Sequence, residues 1–118
     1  MSKIFLKNRE ISSKKPVFII AEAGVNHNNK LPLAFKMIDI AKKAGADAIK
    51  FQTFKADDIQ LKNAIKPNYQ KKIKNLNYYD IIKSLETDFI DQKKIFEYCN
   101  KKRIIFLSTP YDQKSVDF

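Results

Sequence analysis

The sequence predicts an α/β fold built on parallel strands, and three observations predict it. Short apolar runs recur at Val17–Ala21, within Asp47–Phe51 and at Ile104–Leu107. Each runs into polar residues: Glu22, Gln52, and the pair Ser108 and Thr109. The stretches between the runs carry helical periodicity. Apolar strands separated by helices are the pattern of a parallel sheet with covered faces. Polar groups at the C-terminal ends of such strands are where open α/β sheets and βα barrels build their active sites.

Ile4–Leu6 and Glu10–Ile11, separated by Lys7, Asn8 and Arg9, suggest a small N-terminal hairpin, with Ser12–Pro16 as the turn that follows. The first core strand is expected over Val17–Glu22, leading into the polar loop of residues 23–29. A helix over Leu31–Ala44 has Pro32 in its first turn and an apolar stripe of Ala34, Met37, Ile38 and Ala41, ordinary core residues. Gly45 suits the left-handed position that ends a helix.

The second strand, Asp47–Gln52, alternates. Ile49 and Phe51 point one way, and Ala48, Lys50 and Gln52 the other. A helix-covered strand with lysine and glutamine on its second face needs a polar space there, as a barrel mouth or ligand pocket provides. Thr53–Pro67 reads as a long irregular loop, with Lys55, Asp57 and Asp58 as solvated charges. Helical spacing returns with Tyr78, Ile81, Ile82 and Leu85, then over Asp88–Lys102 with Phe89, Gln92, Ile95, Phe96 and Cys99. Asp88 or Thr87 suits its N-cap. A third strand, Arg103–Ser108, meets Thr109 and Pro110, and Asp112–Phe118 opens another helix.

Composition bounds the function. The chain has 118 residues, the length of one ordinary domain, and 44% hydrophobic residues, enough for a packed core. No apolar run is long enough for a transmembrane helix or a standard signal peptide, so a cytoplasmic location is expected. The single cysteine, Cys99, permits no internal disulfide and fits a reducing compartment. The net charge of +10 invites a nucleic-acid reading, but the lysines are spread from Lys3 to Lys114 and no nucleic-acid motif accompanies them. A basic surface remains compatible with an anionic small-molecule substrate.

The alternating order, with right-handed crossovers, gives a parallel sheet. Three strands leave two edges with unpaired backbone groups. A complete (β/α)8 barrel takes roughly 250 residues, so the chain is expected to form a little under half of one.

Three ordered stretches are distinctive: Phe18–Asn28, Ala44–Asp58 and Phe106–Asp112. They resemble the sialic acid synthase family, N-acetylneuraminate synthase and its relatives for legionaminic and pseudaminic acids. The resemblance extends over essentially the whole chain, from the hairpin to Ser115–Phe118. It implies an incomplete (β/α)8 TIM barrel, the first three βα units preceded by an N-terminal β-hairpin, as one truncated domain over residues 1–118. Asn29 stands where many members have glycine, and asparagine tolerates positive φ. Arg103 replaces a frequent glycine before the third strand.

The family condenses phosphoenolpyruvate with an N-acylated hexose such as N-acetylmannosamine, forming a nonulosonic acid and releasing phosphate. Its members use a divalent metal, manganese or magnesium, and work as homodimers. The resemblance implies that Lys50 holds the carboxylate or phosphate of phosphoenolpyruvate and offsets charge as phosphate departs. Thr109 would donate its hydroxyl to the same ligand, Glu22 would orient the sugar or manage protons, and Gln52 would hydrogen-bond the amino sugar. Glu22 and Lys50 are thus the candidate catalytic residues, and Lys50, Gln52 and Thr109 the candidate substrate-binding ones. Metal ligands are expected beyond Phe118 and none within the chain. His27, the single histidine, cannot make a metal site alone and suits a loop-stabilising role; Asn26 and Asn28 suit turns. The isolated chain is expected to lack synthase turnover. Two alternatives stand beside this reading: a non-catalytic barrel remnant or phosphate-ligand binding module, and a basic nucleic-acid accessory protein.

Overall fold

The computed structural model describes residues 3–62 and 77–118. The hairpin forms as expected: β1 (Ile4–Leu6) pairs antiparallel with β2 (Arg9–Ile11) through the two-residue turn Lys7-Asn8. Three further strands form one parallel sheet in the order β3 (Ile20–Gly24), β4 (Ala48–Thr53) and β5 (Ile105–Pro110). Helix α1 (Leu31–Lys43) connects the first two of these strands. The path from β4 to β5 runs through a single helical turn, α2 (Ala56–Ile59), then α3 (Tyr78–Leu85) and α4 (Phe89–Lys102). A short α5 (Gln113–Asp117) follows β5.

Helices α1 and α4 pack side by side on one face of the sheet. Ala34, Ile38 and Ala41 of α1 meet Ile95 and Cys99 of α4 over Ile49 and Phe51 of β4, all of them buried. Phe106 stacks on Phe51 with ring centroids 5.9 Å apart, and Phe96 meets Phe106 edge-on. This is the face the alternation of β4 predicts as apolar. Burial pushes the Cys99 thiol up to about 12, which makes it a packing group and not a nucleophile. The second face carries Glu22, Lys50, Gln52, Leu107 and Thr109, none of them buried. No helix among the described residues is long and apolar enough to cross a membrane.

Strand boundaries move for physical reasons. The first core strand is Ile20–Gly24 in place of Val17–Glu22, because pairing begins only where β4 lies alongside. Val17 and Ile19 stay outside the ladder and are exposed; Ile19 instead donates its amide to Asp47 Oδ2 at 2.9 Å. Asp47, expected inside the second strand, serves as that side-chain acceptor, and β4 starts at Ala48. The third strand runs over Ile105–Pro110, so Thr109 belongs to the ladder. Arg103 falls outside it, in the left-handed region (φ 55).

Both long helices end in the same way. Gly45 donates its amide to Lys42 O and Ala46 to Ala41 O; at the other end Arg103 donates to Asn100 O and Ile104 to Cys99 O. Gly45 has φ 83, so the position expected of it is the one it takes. Arg103 occupies the equivalent position with a Cβ.

The stretch after β4 is more ordered than an irregular loop, although residues 63–67 of it lie outside the described residues. The carboxylate of Glu86 accepts the Ala56 amide at 2.9 Å and binds Lys83 at 2.8 Å and Lys55 at 3.5 Å. Burial raises the Glu86 carboxyl, but the Lys83 and Ala56 hydrogen bonds outweigh it and hold the group below the ordinary range. The charges expected to be solvated have partners: Lys55 lies 4.1 Å over the Phe89 ring, Asp57 accepts from Tyr79, and Asp58 binds Lys114 at 2.7 Å.

Candidate active site

The C-terminal ends of the three parallel strands bring the sequence-predicted residues together on one face. The register sets Glu22 beside Lys50 and Gln52 beside Thr109. Because side chains alternate along a strand, Lys50, Gln52 and Thr109 share the face away from the helices. Lys50 Nζ lies 3.1 Å from Glu22 Oε2, both side chains about half exposed. A pair this exposed contributes about 1 kcal/mol or less, so separating the two charges costs little.

Gly24 shapes the same corner. The ladder slips between Glu22 and Gly24, and Gly24 sits at φ +54, a conformation that favours glycine. A Cβ there would stand 3.7 Å from both Gln52 Nε2 and Glu22 Oε1 and 4.0 Å from Asn26 Nδ2. Three polar side chains thus converge on the space a residue with a side chain would fill. Beside them a cavity of about 690 Å³ opens between the β3–α1 loop, α2 and α3, with Gln52, Val25, Phe54, Ile82 and Tyr111 in its wall. Its volume is that of a small-molecule site.

Contacts from the helices fix these strand ends. Gln92, buried in the α4 stripe, donates through Nε2 to the Gln52 carbonyl at 2.9 Å. Asp112 accepts the Lys55 amide at 2.7 Å and the Ser115 amide at 2.9 Å, so it caps α5 and ties the loop after β4 to the loop after β5. Burial raises the Asp112 carboxyl, but the Ser115 and Lys55 donors prevail and lower it. Thr53 and Ser108 join hydroxyls at 2.6 Å on the helix side. Sequence reasoning assigned no role to Gly24, Glu86, Gln92 or Asp112. An Asp-x-x-Ser cap pattern and a glutamine inside an apolar stripe were the available signals.

His27 is 1% exposed, with its ring edge-on to Phe51 at a centroid distance of 5.7 Å. Neither ring nitrogen has a hydrogen-bond partner among the described residues. Burial pushes its pKa down, so the ring stays neutral and acts as packing beneath the loop. Asn28 and Asn29 turn that loop with φ 50 and 54, as asparagine tolerates. The described residues contain no group of three His, Cys, Asp or Glu that could hold a metal ion.

A model of the NeuB family matches residues 37–118. The chain belongs to the NeuB family. It is 44% identical, over 94% of its length, to the N,N'-diacetyllegionaminic acid synthase of Legionella pneumophila, and covers 33% of that protein. It is 40% identical, over 99% of its length, to the spore coat polysaccharide biosynthesis protein SpsE of Bacillus subtilis, covering 31% of it. The mouse N-acetylneuraminate-9-phosphate synthase is 32% identical over 93% of the chain, which covers 31% of that enzyme. Among solved structures, the N-acetylneuraminic acid synthetase of Leptospira borgpetersenii superimposes with a TM-score of 0.77 at 34% identity, over 98% of this chain and 36% of that one. This NeuB chain therefore spans about a third of the length of the relatives it matches.

Proposed function

We propose that residues 1–118 form the opening part of a (β/α)8 synthase barrel that condenses phosphoenolpyruvate with an N-acylated hexose and releases phosphate. The observation that carries this reading is the placement of Glu22, Lys50, Gln52 and Thr109 on one face at the ends of parallel strands. The names of the relatives support the product class, a sialic-type acid.

Phosphoenolpyruvate is a compact polyanion, so its site needs a fixed cation and hydrogen-bond donors. Lys50 supplies the cation once the ligand takes the place of Glu22 beside it. The Thr109 hydroxyl donates to the same anion. Carbon 3 of phosphoenolpyruvate bonds to the aldehyde carbon of the sugar. Water gives its proton to the aldehyde oxygen and its hydroxyl to carbon 2, and phosphate leaves from carbon 2, with the ammonium of Lys50 offsetting the charge that develops on it. Glu22, released from Lys50, orients the sugar, and Gln52 binds the amide of the N-acyl group. The described residues do not fit the divalent metal that the resemblance implies, and we place its ligands outside them. The assembled enzyme is a homodimer in this reading.

The test is a chimera in which residues 1–118 replace the matching third of the Legionella synthase. Phosphate release is followed with phosphoenolpyruvate and the amino sugar. Removing a charge-assisted contact worth about 1.5–3 kcal/mol lowers kcat/KM roughly 10- to 150-fold, the loss expected of Lys50→Ala. An active chimera indifferent to Lys50→Ala and Thr109→Ala contradicts the proposal. The 118-residue chain alone is expected to give no turnover.

A further inference from the structure

At the opposite end of the sheet from Lys50, the hairpin borders a second, open cavity of about 440 Å³ against the start of β5. Its wall includes three cationic side chains, Lys7, Arg9 and Arg103, with Asn8 and Asn100 between them. The nearby carboxylate, Asp47, is already committed: it pairs with Arg9 Nε at 3.2 Å and accepts the Ile19 amide. Arg9 Nε is nonetheless buried without a well-aligned acceptor. Among the described residues, Lys7 reaches the neutral Asn100 side chain, at 3.3 Å, and the face of Phe96, and has no carboxylate partner. Arg103 binds Lys42 through its backbone carbonyl and makes no ion pair among the described residues.

Two of these cations stand where the backbone favours glycine. Lys7, at φ 51, is the first residue of a two-residue hairpin turn, and Arg103, at φ 55, ends α4. Glycine is the ordinary occupant of both kinds of position. The sequence places a long cation at each, and both line the same cavity. Local folding preference does not explain either residue.

We propose that this cavity is a binding site for a small phosphate-bearing molecule, separate from the strand-end site. Ammonium and guanidinium groups with asparagine amides between them are the donor set phosphate oxygens take, and Arg103 offers them a planar fork. The cavity is large enough for a small molecule and not merely for a lone ion.

Inorganic pyrophosphate is the probe, titrated calorimetrically into the 118-residue chain at low salt. Glycine fits the left-handed backbone at both positions, so Lys7→Gly and Arg103→Gly remove charge without disturbing the fold. Arg103→Asn, also tolerated there, repeats the test with a second side chain. The expected result is saturable binding that each variant weakens about tenfold or more, the loss of one charge-assisted contact. Lys36→Ala, at an exposed lysine of α1 that does not line the cavity, should leave that binding unchanged. The proposal is overturned by an absence of saturable binding, or by full affinity in any of the variants at positions 7 and 103. Equal weakening in Lys36→Ala overturns it as well, since the anion then follows the net charge of the chain and not this cavity.

Discussion

Replacing Gly24 with alanine tests whether the strand-end corner depends on an open space. The new methyl would sit 3.7 Å from Gln52 Nε2 and Glu22 Oε1, ordinary contact distances, so no overlap has to be relieved. The destabilisation comes from the backbone, because φ +54 is left-handed. Holding an L-residue there costs roughly 1–2 kcal/mol. A less flexible unfolded chain offsets about 0.4–1 kcal/mol of it. Gly24→Ala should therefore lower stability by about 1 kcal/mol. Gly45→Ala is the control, for it shares the positive φ (+83) but its Cβ would meet nothing within 4 Å. Urea denaturation should show similar losses for the two variants. Calorimetric titration with phosphoenolpyruvate should separate them: only Gly24→Ala fills the space between Glu22 and Gln52, so only it should weaken binding. Unchanged affinity in Gly24→Ala would refute the reasoning, as would a stability loss several kcal/mol beyond that of Gly45→Ala.

Three other outcomes follow from particular contacts. Arg103→Gly should raise stability by about 1 kcal/mol in thermal or urea unfolding, because it relieves a left-handed residue at a helix end. His27 is neutral in the fold and its pKa lies below the ordinary 6.5. The unfolded chain therefore takes up the proton first, and stability should fall as pH drops below 6.5 until the folded pKa is passed. In His27→Phe that component of the slope should vanish. Glu86→Gln should cost about 1–3 kcal/mol, since it weakens acceptance from Ala56, takes the Glu86 carboxylate from Lys55 and leaves Lys83 with the longer Asp57 pair at 3.5 Å. With its pKa depressed, Glu86 stabilises the fold above about 4.5, and that contribution is lost as pH falls through the lower folded value; acid titration of the variant should lack it.

The placement of Lys50 and Gln52 was legible because alternation along β4 leaves only one face for them. Phe51 and Ile49 claim the helix side. The hairpin, α1, α4 and the Asp88 cap were legible for the same local reason, a short-range period or spacing. Contacts between residues far apart in sequence left no such trace. Gln92 reaches the Gln52 carbonyl across 40 residues, and Glu86 reaches the Ala56 amide across 30. The single turn of α2 is too short to show a helical period, and Glu86 holds it from outside. Hydrophobicity misplaced the start of β3, because Val17 and Ile19 are apolar without entering the ladder. The slip at Gly24 depends on how β3 meets β4, which one strand's sequence does not encode.

The central claim is that an anionic substrate binds where Glu22, Lys50, Gln52 and Thr109 meet. Its most direct test is a titration of the isotope-labelled chain with phosphoenolpyruvate, followed by amide chemical shifts. The account predicts saturable shifts at Glu22–Asn26, at Lys50–Phe54 and at Ser108–Tyr111, all abolished by Lys50→Ala. Shifts confined to the hairpin and the start of β5, or a full response in Lys50→Ala, would contradict it.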